Sequence, residues 1–170
     1  MRTMLSVVAV LLAVPAFAQE VPKPGKEHDF LKKQEGTWEV TMNLGGQESK
    51  GTSTYKMELG GFWLTSTLES EVFGQKFTGK GTDGYCPIKK KYVSFWTDSM
   101  APSPVVMEGS YDEKAKTLTM SGEGPDMMTG KMAKYKSVTE MPDADSMTMK
   151  MYTGDAKEPA FTVSYKRKKK

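Results

Sequence analysis

From Thr37 onwards the chain alternates. Trp38, Val40, Met42 and Leu44 are apolar while Thr37, Glu39, Thr41 and Asn43 are polar, the period of two that a half-buried strand requires. Gly45-Gly46 follows and supplies the turn chemistry of a two-residue hairpin. The same reading predicts strands at about 47–59, 62–73, 75–85, 90–99, 104–112, 115–122, 130–140, 145–153 and 159–167. Turn signals separate most of them: Gly60-Gly61, Phe73-Gly74-Gln75, Pro87, Asp112-Glu113-Lys114, Gly122-Glu123-Gly124-Pro125-Asp126, Pro142-Asp143 and Gly154-Asp155. Ala101-Pro102-Ser103-Pro104 reads as a Pro-rich loop, and Glu27 to Gln34 as a short helix with Phe30 and Leu31 on one side.

About ten short strands with no helix-length gap between them leave no room for a parallel crossover. A sandwich and a closed barrel both satisfy this pattern. Consecutive hairpins favour an all-β, single up-and-down antiparallel β-barrel, closure removes the exposed sheet edges, and the apolar face of the N-terminal helix suits a plug for one end. A ten-stranded barrel is wider than the eight-stranded kind that already holds a small ligand.

The region before the helix changes the setting. Arg2, the apolar run Leu5 to Val14 and Ala16-Phe17-Ala18 form the charged, hydrophobic and cleavage regions of a signal peptide, predicted to end after Ala18. The run is too short to span a bilayer. The expected organisation is a signal peptide at 1–18, a Pro-containing linker at 19–26, a barrel domain at 27–167 and a basic tail at 168–170, with the protein exported to the periplasm or beyond; the sequence does not set its oligomeric state, for which a monomer is the default. Without the leader, 152 residues remain, carrying 23 Lys+Arg against 21 Asp+Glu. Five of those cations lie in Lys166-Arg167-Lys168-Lys169-Lys170, so the body is slightly acidic and lacks the spread basic face of a nucleic-acid reader.

The candidate chemistry is sparse. Cys86 is the only cysteine and His28 the only histidine, which excludes an internal disulfide, a multi-histidine zinc site and any His-dependent triad that does not use His28. Glycines at 79, 81 and 84 precede no helix and so form no phosphate cradle. No catalytic residue and no cofactor is assigned. Tyr92, Ser94, Trp96 and Asp98 share one strand face; turned inward, that face lines a pocket with Met107 and Met120, and Asp98 fixes the polar end of an apolar ligand. The alternative is that Asp98 holds the following loop by accepting backbone N–H bonds. Met147, Met149 and Met151 also share a face. They read either as adaptable filling for an apolar interior or as a thioether row for Cu(I) or Ag(I).

Glu27-His28-x-x-Leu31, Gly36-x-Trp38, Gly84-Tyr85-x-Pro87, Tyr92-Val93, Trp96-x-Asp98-Ser99-Met100, Gly109-x-Tyr111-Asp112 and Tyr165-x-Arg167 together resemble the bacterial family 1579 of secreted domains of unknown function, with a lipocalin-like (calycin-like) barrel. At the family's usual Asp position this chain has Cys86. The resemblance implies that Trp38 closes one barrel end under a cation from the last strand, Arg167, a structural role. Together these readings point to an exported barrel for a small, largely apolar molecule. A soft-metal binder is the alternative, and an enzyme or structural protein the third class.

Overall fold

The computed structural model describes residues 21–126 and 129–169; the leader, the first two linker residues and the last residue of the basic tail lie outside the described residues. One helix, α1 (Glu27–Lys33), precedes ten strands: β1 (Gly36–Leu44), β2 (Gln47–Glu58), β3 (Trp63–Val72), β4 (Gln75–Cys86), β5 (Lys91–Asp98), β6 (Ala101–Asp112), β7 (Thr117–Asp126), β8 (Lys131–Glu140), β9 (Ser146–Thr153) and β10 (Phe161–Arg167). Each strand pairs antiparallel with the next. β10 returns to β1, Trp38 opposite Arg167 and Leu44 opposite Phe161, so the sheet is a closed up-and-down barrel. Gly45-Gly46 and Phe73-Gly74 turn their hairpins with positive φ at both residues, the backbone that suits the right-handed strand twist.

Two segments with loop chemistry are strand instead. Pro102 and Pro104 belong to β6, where pairing with β5 slips between Trp96 and Asp98 and pairing with β7 begins only at Val106. The stretch is locally a free edge beside a bulge, where proline is tolerated. Gly122 to Asp126 likewise continues β7, because β8 pairs with it throughout while β6 stops at Glu123. The helix ends at Lys33, with Gln34 as its C-cap.

The alternation places apolar side chains inside. Trp38, Val40, Met42, Leu64, Leu68, Val72, Met120 and Val163 are all buried, while Glu39, Glu69, Lys80, Lys134 and Lys166 lie exposed on the outer wall. That arrangement is the reverse of a barrel that faces lipid, and among the described residues no helix is long and apolar enough to cross a membrane.

α1 seals one end. Its acidic first turn and basic last turn agree with the helix dipole. Phe30 stacks on Tyr111 at 4.0 Å and meets Tyr92 edge-on at 5.8 Å. His28 packs edge-on against Phe62 and Tyr85, and its Nδ1 accepts the Gly25 N–H at 3.1 Å. The far side of the helix is held by Arg167, which donates to the carbonyls of Lys33 (2.7 Å), Glu35 (2.6 Å) and Ala144 (2.7 Å). Its guanidinium lies 4.1 Å from the Trp38 ring centroid, and Trp38 Nε1 donates to the Gln34 carbonyl at 2.9 Å. Gly36 is obligatory here: its φ is +129°, and a Cβ would stand 2.7 Å from Arg167 Nη1. The hairpins at Gly45, Phe73, Ser99 and Gly130 and the segment 154–160 surround the other end, the mouth.

Candidate functional site

Tyr92, Ser94, Trp96 and Asp98 of β5 face into the barrel, since they stand in register with the inward positions Tyr85, Asp83, Gly81 and Gly79 of β4. They serve different parts of it. Tyr92 is buried at the plug, and its hydroxyl donates to the Glu27 carbonyl at 2.8 Å; burial, followed by the nearby Glu27 charge, pushes its pKa up to about 12. Met107 and Met120 pack with it in the cluster of Phe30, Leu31, Leu64 and Leu118. All three therefore floor the helix end.

Trp96 lies further towards the mouth and is only half-buried. Its indole lies over Gly79, where any Cβ would collide with the ring, and beside Gly81, where a Cβ would collide with Ser66 Oγ. Its Nε1 donates to Asp98 Oδ2 at 3.0 Å, and Asp98 Oδ1 accepts the Met100 N–H at 2.8 Å. Both carboxylate oxygens of Asp98 thus serve its own hairpin, the loop-holding alternative.

The methionine row of β9 does face inward, but its three members join separate groups. Met147 packs with Trp38 and Met141, Met149 with Val40, Leu68 and Val163, and Met151 with the plug cluster. Among the described residues no group of three His, Cys, Asp or Glu is placed to hold a metal ion.

A polar cluster that the sequence reading did not single out lies deep in the barrel. Asp83 of β4 points inward between Leu64 of β3 and Ser94 of β5. Tyr55 of β2 and Tyr165 of β10 reach towards it from other walls, their ring centroids 6.3 Å apart. Burial raises the Asp83 carboxyl to about 6, against a smaller lowering by the Ser94 hydrogen bond. Burial likewise pushes Tyr165 up to about 12 and Tyr55 well above its ordinary value, and the Asp83 charge adds to both. Despite this depth, Tyr55, Asp83, Ser94 and Tyr165 all retain accessible surface. No described side-chain N or O atom is sealed without a partner, so these groups are served by one another or by space that a water-sized molecule can enter. The walls leading to the mouth are apolar: Leu68, Phe77, Trp96, Met149 and Phe161.

Two open grooves lie apart from this interior. One of about 420 Å³ runs along the mouth rim between Leu44, Ser49, Lys50 and Phe73. The other, of about 390 Å³, lies against β7 and β8 at Glu123, Lys134 and Lys136. Neither contains Asp83, Trp96 or Asp98.

No curated protein matches the sequence. Among solved structures, the S-type phycobiliprotein lyase CPES from Guillardia theta aligns over 85% of this chain and 93% of its own, with 12% identity and a TM-score of 0.57, a likeness of fold. A de novo designed fluorescence-activating β-barrel aligns over 82% of this chain and 98% of its own, with 15% identity and a TM-score of 0.48. Residues 23–167, which include α1 and all ten strands, match the family described as protein of unknown function (DUF1579), and the chain belongs to that family.

Proposed function

We propose that this protein, after export, holds a small and largely apolar molecule inside the barrel, admitted through the mouth opposite α1. The observation that carries the reading is the inward polar cluster of Tyr55, Asp83, Ser94 and Tyr165, set in an apolar wall and still partly accessible. A carboxylate in such surroundings costs several kcal/mol unless something compensates it. A barrel closed only for stability gains nothing from it. Apolar pockets with a few converging polar groups are how proteins bind and orient small ligands.

The test is a titration with the neutral fluorescent probe N-phenyl-1-naphthylamine. Saturable binding at one site per chain is expected, and Ser94→Phe, which adds a ring to the interior, should weaken it at least tenfold. Thr65→Phe places the same ring on the outer wall and should leave binding unchanged. Absence of saturable binding to the wild type, or equal effects of the two substitutions, would overturn the reading.

A further inference from the structure

The cluster around Asp83 also restricts what the ligand carries. Every strand lysine from Lys50 to Lys166 points outward apart from Lys131, which is exposed at the mouth rim. Arg167 is spent on the carbonyls of Lys33, Glu35 and Ala144 and on Trp38. Among the described residues no cation acts on Asp83 from any neighbouring element; the groups that face it are Ser94, Tyr55 and Tyr165. The two tyrosines are neutral hydroxyls at physiological pH by their ordinary value, and burial raises both further. The interior therefore presents the Asp83 carboxyl group near the plug, with hydroxyls beside it as acceptors, while the inward carboxylate of Asp98 is occupied by its own hairpin.

We propose that Asp83, Tyr55 and Tyr165 form the seat for the ammonium group of a small apolar amine, with its hydrocarbon body extending past Trp96 and Phe161 towards the mouth. This rests on the reading that the barrel binds a ligand and adds the ligand's chemistry to it. An ammonium supplies the missing counter-charge and up to three N–H donors. A carboxylate head would be repelled, and a neutral alcohol would leave Asp83 uncompensated. A single carboxylate with two phenols is too few oxygens for calcium, which leaves an organic cation as the fitting occupant.

Displacement of bound N-phenyl-1-naphthylamine by decylamine, decanol and decanoate at pH 7.5 provides the test. Decylamine should displace the probe at a concentration at least tenfold lower than decanol, with decanoate weakest. Asp83→Asn should still bind the probe but lose the preference for the amine. Carboxyl ¹³C NMR of the wild type supplies a second readout, in which decylamine should move the Asp83 titration to lower pH. Equal displacement by amine and alcohol, or a preference that survives in Asp83→Asn, would overturn the amine seat while leaving the binding reading intact. Failure of the probe to bind at all would remove both.

Discussion

At the helix end of the barrel, Phe30, Leu31, Trp38 and Leu64 are at most 3% exposed, and the backbone carbonyls that end α1 are capped by Arg167. Towards the mouth, Phe77, Trp96, Met149 and Phe161 line the same closed sheet yet stay partly accessible. The strands run continuously through both halves, so the difference comes from what fills the interior. One half is packed by a helix that the chain itself supplies. The other has a buried cluster of Val40, Met42, Leu68, Val72 and Val163, around which Phe77, Trp96, Met149 and Phe161 stay partly accessible.

The largest effect should come from breaking the sealed half. Trp38→Ala removes a fully buried indole, its hydrogen bond to Gln34 and the surface under Arg167, and should cost about 3–5 kcal/mol. Phe161→Ala at the mouth should cost less than half as much, because its ring is already partly solvated. Thermal or urea unfolding of both variants measures the contrast. Equal losses would show that the two halves are packed alike.

A smaller effect of opposite sign sharpens the comparison. The folded carboxyl of Asp83 is raised from 3.8 to about 6, so between those values the native state binds more protons than the unfolded chain. Stability from this group therefore falls as pH rises from about 4 to about 6 and stays reduced above. Asp83→Asn removes the burden and should stabilise the protein by about 1–3 kcal/mol at pH 7.5, with the gain fading by about pH 4. Urea midpoints across this range decide it; a variant less stable than the wild type at neutral pH would mean that Asp83 is an organising member of the core.

The barrel was legible because period-two alternation and hairpin turns are local signals. What misled was also local. Proline and glycine mark turns, but they also mark strand stretches without a partner on one side, and whether Pro102, Pro104 or Pro125 has such a partner depends on pairing that only the closed sheet defines. Asp83 stands within the predicted 75–85 strand among Gly79, Gly81 and Gly84, where only Phe77 and Tyr85 mark the inward face. Counted by twos, Gly79, Gly81, Asp83 and Tyr85 form one inward face, on which the Trp96 indole occupies the side-chain space at Gly79 and Ser66 that at Gly81. The inward direction of Tyr92, Trp96 and Asp98 followed from their spacing only conditionally, since a one-residue slip reverses the faces. Which of the two carboxylates is occupied by its own hairpin is set by hydrogen bonds of 2.8 to 3.0 Å, which no pattern of residue types encodes.

The smallest predicted effect separates those two carboxylates. Asp98→Asn keeps one acceptor oxygen and replaces the other by an amide nitrogen, so it can still serve either the Trp96 Nε1–H or the Met100 N–H but not both as they stand. Loss of one such bond at a half-buried hairpin should cost about 0.5–1.5 kcal/mol, and the Trp96 indole N–H resonance should shift in ¹H–¹⁵N spectra. The preference for decylamine over decanol should be unaffected, because the carboxylate that selects it lies deeper, between Leu64 and Ser94. If the preference instead disappears in Asp98→Asn and persists in Asp83→Asn, the charged end of the ligand sits at the mouth and the mouth half, rather than the floor above the plug, holds the recognition chemistry.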